Sequence, residues 1–196
     1  MNTLLTELRT ATHAHHTRLE QRLNLLRAGF SLADYDKLLC SFLGYYRPLE
    51  KTLNALADIN VWIPDYPMRI KTTLLEQDLL ALGHNPAELE QIPECAELPL
   101  CSDRSSVMGC LYVIEGSTLG GQIMNRHFQN SLNLSQGQGL VFFSGYGIET
   151  MEMWKRFGTY LTQEGDWDKT RLTESASQTF VTLERWFEAS SPEILT

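Results

Sequence analysis

Apolar residues recur at three- and four-residue steps along nearly the whole chain, and no strictly alternating stretch of useful length interrupts them. A period near 3.6 places such residues on one face of a helix, so the pattern predicts an all-α fold. Leu5, Leu8, Thr12, Leu19, Leu23 and Leu26 define a first helix from about Thr3, a fitting N-cap, to Gly29. Ser31 starts a second helix with Tyr35, Leu38, Leu39, Phe42 and Tyr45 inward. Pro48 lies inside that run and predicts a kink near Tyr46, or a break before Leu49, Leu53 and Leu56 resume the period. Pro64 and Pro67 bracket a turn, and a shorter helix carrying Ile70, Leu74, Leu75, Leu79 and Leu82 ends at Gly83. Asn85–Leu100, with three prolines, reads as a surface connection with one helical turn at Ala87–Gln91. A long helix follows from Ser102 or Asp103 to about Leu132, and Gly137–Gly139 ends that section. Beyond the Gly145–Gly147 loop, a helix from about Glu149 carries Met153, Trp154, Phe157 and Leu161. Gly165–Asp168 forms a turn, and a last helix spans about Thr170 to Ala189.

The 196 residues suit one domain over 1–196, and a chain of this size buries about 70% of its unfolded surface without a disulfide or metal staple. A hydrophobic fraction of 43% with 20% charged residues marks a globular protein. The net charge of −8 argues against nucleic acid or an anionic membrane as partner. Glu7 and Arg9 interrupt the first leucines, which does not fit a secretory signal, and no run approaches the roughly 20 apolar residues of a membrane span. Cys40, Cys95, Cys101 and Cys110 fit neither a paired zinc motif nor a disulfide framework, so reduced thiols and a cytoplasmic location are expected.

Three local features depart from plain helix-bundle chemistry. At about 100° per residue, His16 lies roughly 40° from the centre of the first helix's leucine arc, His15 roughly 60° and His13 roughly 100°. An imidazole thus takes a core-facing slot, either as a histidine satisfied by one hydrogen bond or as a metal ligand; one-sided coordination of a haem iron suits it better than a cage needing several ligands. The long helix carries Gly116, Gly120 and Gly121, at a cost of about 1 kcal/mol each relative to alanine. Close packing of another helix and close approach of a flat ligand to a bent helix both account for bare backbone there. Lys155 and Arg156 adjoin an apolar helix face, either as a solvated patch or as cations for the acidic edge of an apolar ligand, with Arg9 a further contributor.

Taken with their order in the chain, LRTATHAHHTRLE, LLEQDLLALG, YVIEGSTLGGQ and FFSGYGIETMEMW resemble biliverdin-producing haem oxygenases, most of all the bacterial type that accompanies bacteriophytochromes. The resemblance spans nearly the whole chain. It implies a helical bundle with a kinked distal helix, with His16 as proximal iron ligand and Glu20 as its hydrogen-bond partner. Gly116, Ser117, Gly120 and Gly121 would lie over the haem, Arg9, Lys155 and Arg156 would meet the propionates, and Phe180 and Phe187 would line the pocket. Haem would be both cofactor and substrate, with O2 and an external electron donor, protein or small reductant, as co-reactants; a bacteriophytochrome is an implied acceptor of the biliverdin. Many members carry an aspartate where this chain has Ser117, whose hydroxyl holds water but supplies no charge; either a neighbour such as Glu115 maintains the distal water network or proton delivery differs. That departure keeps open a haem carrier or sensor of the same fold, and a thiaminase-like or di-iron relative would require different ligands.

Overall fold

The computed structural model describes residues 3–134, 138–163 and 167–194; Gly137 and Gly165, placed above in turns, lie outside them. Among the described residues there is no strand. Helix α1 spans Thr3–Leu23; Thr3 is already helical, and its side chain is outside the described set. The helix stops short of Gly29 because Asn24 takes a left-handed φ of 35°, a conformation asparagine tolerates better than most residues. Leu26, expected to face inward, is 54% exposed beyond that stop.

Helix α2, Leu32–Asn54, starts from a capping box in which Ser31 Oγ accepts from the Asp34 N–H and the Asp34 carboxylate accepts from the Ser31 N–H. It runs through Pro48 without a break. Proline cannot serve the carbonyl four residues back, that of Gly44, and the Cys95 N–H donates to it instead at 2.8 Å. Gly44 makes that crossing possible, since a Cβ there would lie 2.3 Å from the Pro93 carbonyl oxygen. The proline-rich connection is therefore a strap across α2 rather than a free surface loop.

Short helix α3, Ile59–Trp62, and a 3-10 turn at Tyr66–Arg69 lead to α4, Thr72–Ala81, and α5, Pro86–Glu90. Helix α6 covers Arg104–Ser131, its start fixed by an Asp103–Ser106 capping box, and its helical pattern continues across all three central glycines. One-turn α7, Val141–Ser144, is held by Asp78 of α4, whose carboxylate accepts from Val141 N–H at 2.7 Å and Phe142 N–H at 2.8 Å. Burial pushes that carboxyl up to about 6 against the opposing effect of the two bonds. Helix α8 is Thr150–Gln163, and α9 is Lys169–Ser190, capped by Asp168.

Helix α9 is the backing of the bundle. It packs closely on α6, where Gly109 admits the Leu172 carbonyl to a place 2.1 Å from where a Cβ would stand. On another side it packs on α1, to which Glu184 is tied by Arg18 at 2.8 Å and Arg22 at 3.0 Å. Helices α1 and α6 share no substantial packing with each other. Two helices that lean on one support and touch only lightly, with Tyr112 of α6 beside Thr12 and Arg9 of α1, leave a cleft between them, and the unusual residues of the sequence lie along it.

Candidate functional site

On α1 the apolar arc of Leu8, Thr12, Leu19 and Leu23 is buried, while the His16 side chain is 53% exposed. The offset from the arc's centre is enough to bring the imidazole out of the core and to the cleft's edge, so its expected core-facing position is corrected to an open one. Its ring meets Phe180 of α9 edge-on with centroids 5.7 Å apart. Its Nδ1 stands 3.4 Å from Glu20 Oε2, and among the described residues no group bonds Nε2. An Nδ1–H held by a carboxylate fixes the tautomer and leaves the Nε2 lone pair for a metal. His15 is different: its Nδ1 lies 3.0 Å from an Arg18 nitrogen, and arginine has only protons to give. Angle alone could not separate the two histidines, but their partners do.

Ser117 of α6 stands beside Tyr46 of α2. The Tyr45 hydroxyl donates to the Thr179 carbonyl, next to Phe180, and the following residue, Tyr46, has its buried hydroxyl beside that of Ser117. Burial raises the Tyr46 pKa, with the Ser117 hydrogen bond opposing the shift, so the phenol stays protonated. Ser117 itself donates to the Ile114 carbonyl at 2.7 Å.

The central glycines divide by what surrounds them. A Cβ on Gly121 would meet the Phe143 carbonyl at 3.1 Å, which is close packing of α7 on α6. One on Gly116 would touch only the Trp154 ring, at an ordinary 3.7 Å, and one on Gly120 would meet no described atom within 4 Å. Packing thus accounts for Gly121 but gives Gly116 and Gly120 no reason to be bare.

Below this surface Glu115 is 1% exposed and faces the protein interior. Its carboxylate pairs with the buried Arg69 guanidinium, accepts from Lys71 Nζ at 3.1 Å, and accepts from the Tyr146 hydroxyl at 2.8 Å. Arg69 is also bidentate to Asp65, with both bonds at 2.8 Å. Burial works to lower the Arg69 pKa, but the Asp65 hydrogen bonds and the Glu115 charge outweigh it and hold it above the ordinary value. Burial lowers that of Lys71 despite Glu115. The carboxylate expected to stand in for a distal aspartate is instead committed to this ion cluster, which ties α6 to the turn before α4 and to the loop before α8. Neither Arg69 nor Lys71 stands out in the sequence, because both sit in the short connection between the Pro64–Pro67 turn and α4; the acid inside the apolar run LYVIEGS is the visible cue.

Arg9 and Lys155 are exposed, and among the described residues neither is ion-paired; Arg156 lies 3.5 Å from Asp65. Burial raises the Tyr112 pKa, while the Thr12 hydroxyl and Arg9 charge beside it act the other way. The Tyr112 ring lies 5.9 Å from that of Trp154, the residue before Lys155, so these contacts link the Arg9 and Lys155 regions along one rim. Phe187 is fully buried, edge-on to Phe42 at 5.1 Å, and belongs to the aromatic core rather than to the open surface beside Phe180.

Comparison with known proteins bears on the fold. No curated protein matches the chain by sequence. Its backbone is similar to that of the NO- and CO-bound heme oxygenase of Neisseria meningitidis, with a TM-score of 0.82 at 20% identity, covering 97% of this chain and 92% of that one. It is also similar to heme oxygenase-1 of the cyanobacterium Synechocystis in complex with heme, with a TM-score of 0.77 at 18% identity over 99% of this chain and 94% of that one. The heme oxygenase of Leptospira interrogans gives 0.70 at 20% identity, over 96% and 100%. The family model described as Heme oxygenase matches residues 2–189, nearly the whole length, and the chain therefore belongs to the haem oxygenase family.

Proposed function

We propose that this protein is a haem-degrading enzyme, a single domain over residues 1–196 that opens haem to biliverdin with release of CO and iron. The observation that carries the reading is a pair of helix surfaces that meet where Tyr112 stands beside Thr12: one turn on along α1 is a half-exposed imidazole with its Nδ1 3.4 Å from Glu20, and one turn on along α6 begins a surface with Gly116 and Gly120 left bare where protein packing makes no demand. A flat, largely apolar ring held by one nitrogen ligand would suit two such surfaces. Bound haem would supply both the oxygen chemistry at its iron and the ring carbon that is oxidised. His16 would hold the iron from the α1 side through Nε2, and Glu20 would orient the ring and strengthen it as a ligand. Gly116 and Gly120 would let the α6 backbone approach the opposite face and exclude bulky groups from it. The Ser117 and Tyr46 hydroxyls would hold water there and pass a proton along the pair, a role that needs no charged side chain. Arg9 and Lys155, with Arg156 nearby, would meet the two propionates at the rim.

The working setting we propose is cytoplasmic, with a donor protein or small reductant supplying electrons and a bacteriophytochrome as acceptor of the biliverdin. The test is to titrate the apoprotein with hemin and add a competent reductant under air. Loss of the haem spectrum with appearance of biliverdin is expected. A haem spectrum that persists unchanged would overturn the enzyme reading in favour of a carrier or sensor. The specific observation behind that rival is Ser117, an uncharged group whose hydroxyl is already donated to a backbone carbonyl.

A further inference from the structure

Away from the cleft, three side chains of different chemistry converge between α2 and the end of α4. Asp36 and Cys40 are four residues apart and share one face of α2. His84 follows α4, with its Nε2 2.7 Å from Asp36 Oδ1. A carboxylate oxygen, the Cys40 sulfur and an imidazole nitrogen all lie within 4.8 Å of one another. On a tetrahedron with metal–ligand bonds of about 2.0–2.3 Å, donor atoms stand about 3.3–3.8 Å apart, so small side-chain rotations would bring the three into register.

The backbone holds His84 firmly. Gly83, at φ 108°, ends α4 in a double hydrogen bond: its own N–H donates to the Leu80 carbonyl and the His84 N–H to the Leu79 carbonyl, both at 3.1 Å. Asn85 then caps α5, with Pro86 at its first turn. His84 is thus fixed between two helix termini, over the α2 face that carries Asp36 and Cys40. Cys40 and His84 also line a surface cleft of about 620 Å³ with Leu82, Glu88 and Ile92, so the cluster opens to solvent on one side.

We infer that Asp36, Cys40 and His84 form a binding site for a borderline divalent transition ion of the zinc class, with three protein ligands and a fourth position facing the cleft. One thiolate, one carboxylate and one neutral imidazole balance the charge of a divalent ion, and the mixture of S, O and N donors is what such ions take while magnesium and calcium do not. Binding releases one proton, from the Cys40 thiol to solvent as sulfur bonds the metal; the His84 Nε2 proton that Asp36 accepts passes through solvent to Nδ1, and the His84–Asp36 hydrogen bond gives way to two metal bonds. The site shares no residue with the α1–α6 cleft.

The test uses the full-length, haem-free protein after removal of metals by chelator, titrated with Co2+ alone and then with Zn2+. One equivalent of cobalt is expected, with a sulfur-to-cobalt charge-transfer band in the near ultraviolet and the visible bands of a four-coordinate ion, all bleached by zinc. Cys40→Ser should remove the charge-transfer band, and Cys40→Ser, His84→Ala and Asp36→Asn should each weaken cobalt binding by about 100-fold, since even outer-shell changes cost about 10–100-fold. His16→Ala and Cys95→Ser should leave the band and the affinity unchanged, with helical content checked by circular dichroism for every variant. Cobalt bound without a charge-transfer band, a band that survives Cys40→Ser, or no binding at micromolar cobalt would overturn the site. Asp36→Asn keeps both other ligands and the size of the side chain, so it decides the matter if Cys40→Ser does not fold. Hemin titration of the same samples reads the α1–α6 cleft separately, so failure of one assignment leaves the other standing.

Discussion

Replacing Gly120 by alanine should make the apoprotein more stable and the haem complex weaker, two effects that ordinary packing would not set in opposition. The residue lies inside α6, away from positive φ, and an added Cβ meets no described atom within 4 Å. Alanine therefore recovers the helix propensity that glycine forgoes, about 1 kcal/mol, which for a chain of this length raises the melting temperature by about 2–4 °C. If the haem lies against this backbone, the same methyl stands in its place; overfilling costs about 1–3 kcal/mol, or about 5- to 150-fold in affinity. Gly109→Ala is the contrasting control. Its Cβ would stand 2.1 Å from the Leu172 carbonyl oxygen, and since neither helix backbone can yield cheaply, the variant should lose about 3 kcal/mol or more. Differential scanning calorimetry of the apoproteins and hemin titration of each variant supply both numbers. A Gly120→Ala protein that binds hemin as the parent does would refute the reasoning that the open backbone is kept for the ligand, and a fall in apoprotein stability would refute the open space itself.

Other expectations bear on the opposite wall and on the supports. His16→Ala should lose the axial-nitrogen signature of bound haem, whereas Glu20→Gln should retain it with affinity reduced by about 10–100-fold, as resonance Raman and titration would reveal; an unchanged axial spectrum in His16→Ala would remove His16 as the ligand. Because the Asp78 carboxyl is held at about 6 when folded and has an ordinary value of 3.8, the folded state takes up its proton more readily. Its contribution is then most favourable below about pH 4 and is lost as pH rises to about 6; compared with Asp78→Asn, the parent should gain about 1 kcal/mol in urea denaturation between pH 7 and pH 5. Parallel pH profiles for the two proteins would refute the shift. Arg69→Met, which leaves Glu115 and Asp65 buried without their shared partner, should cost about 3–5 kcal/mol, with much of it regained when Glu115→Leu and Asp65→Leu are added; a loss below about 1 kcal/mol in urea would show that the cluster does not secure the distal helix.

The helical period was enough to locate the long elements, because a 3.6-residue repeat over twenty residues is hard to satisfy by any other structure. Ends were legible where capping chemistry is explicit, as at Ser31, Gly83 and Asp103, and illegible where one asparagine decides, as at Asn24. Pro48 announced a disturbance in α2 but not its remedy, because the Cys95 N–H that satisfies Gly44 comes from about a quarter of the chain away. The same distance hides the Arg69–Glu115–Lys71 cluster and the Asp36–Cys40–His84 group, whose members are neighbours only after folding. Among the proposed haem residues, the angular argument singled out His16 but placed it too deep. It could not tell that Gly121 serves packing while Gly120 faces open space.

A bundle in which α1 and α6 share a backing helix but little mutual interface carries an unfinished seam. If haem fills it, the substrate would act as an interior side chain does, and α1, held chiefly by α9 with a smaller contact to α8, would become part of a continuous core for as long as the ring is intact. An opened ring would be longer and more flexible and would no longer match the seam that the closed one fills. Turnover would then reopen the protein's own interior at every cycle, and amide exchange along α1 should slow when haem enters and quicken again as the ring opens.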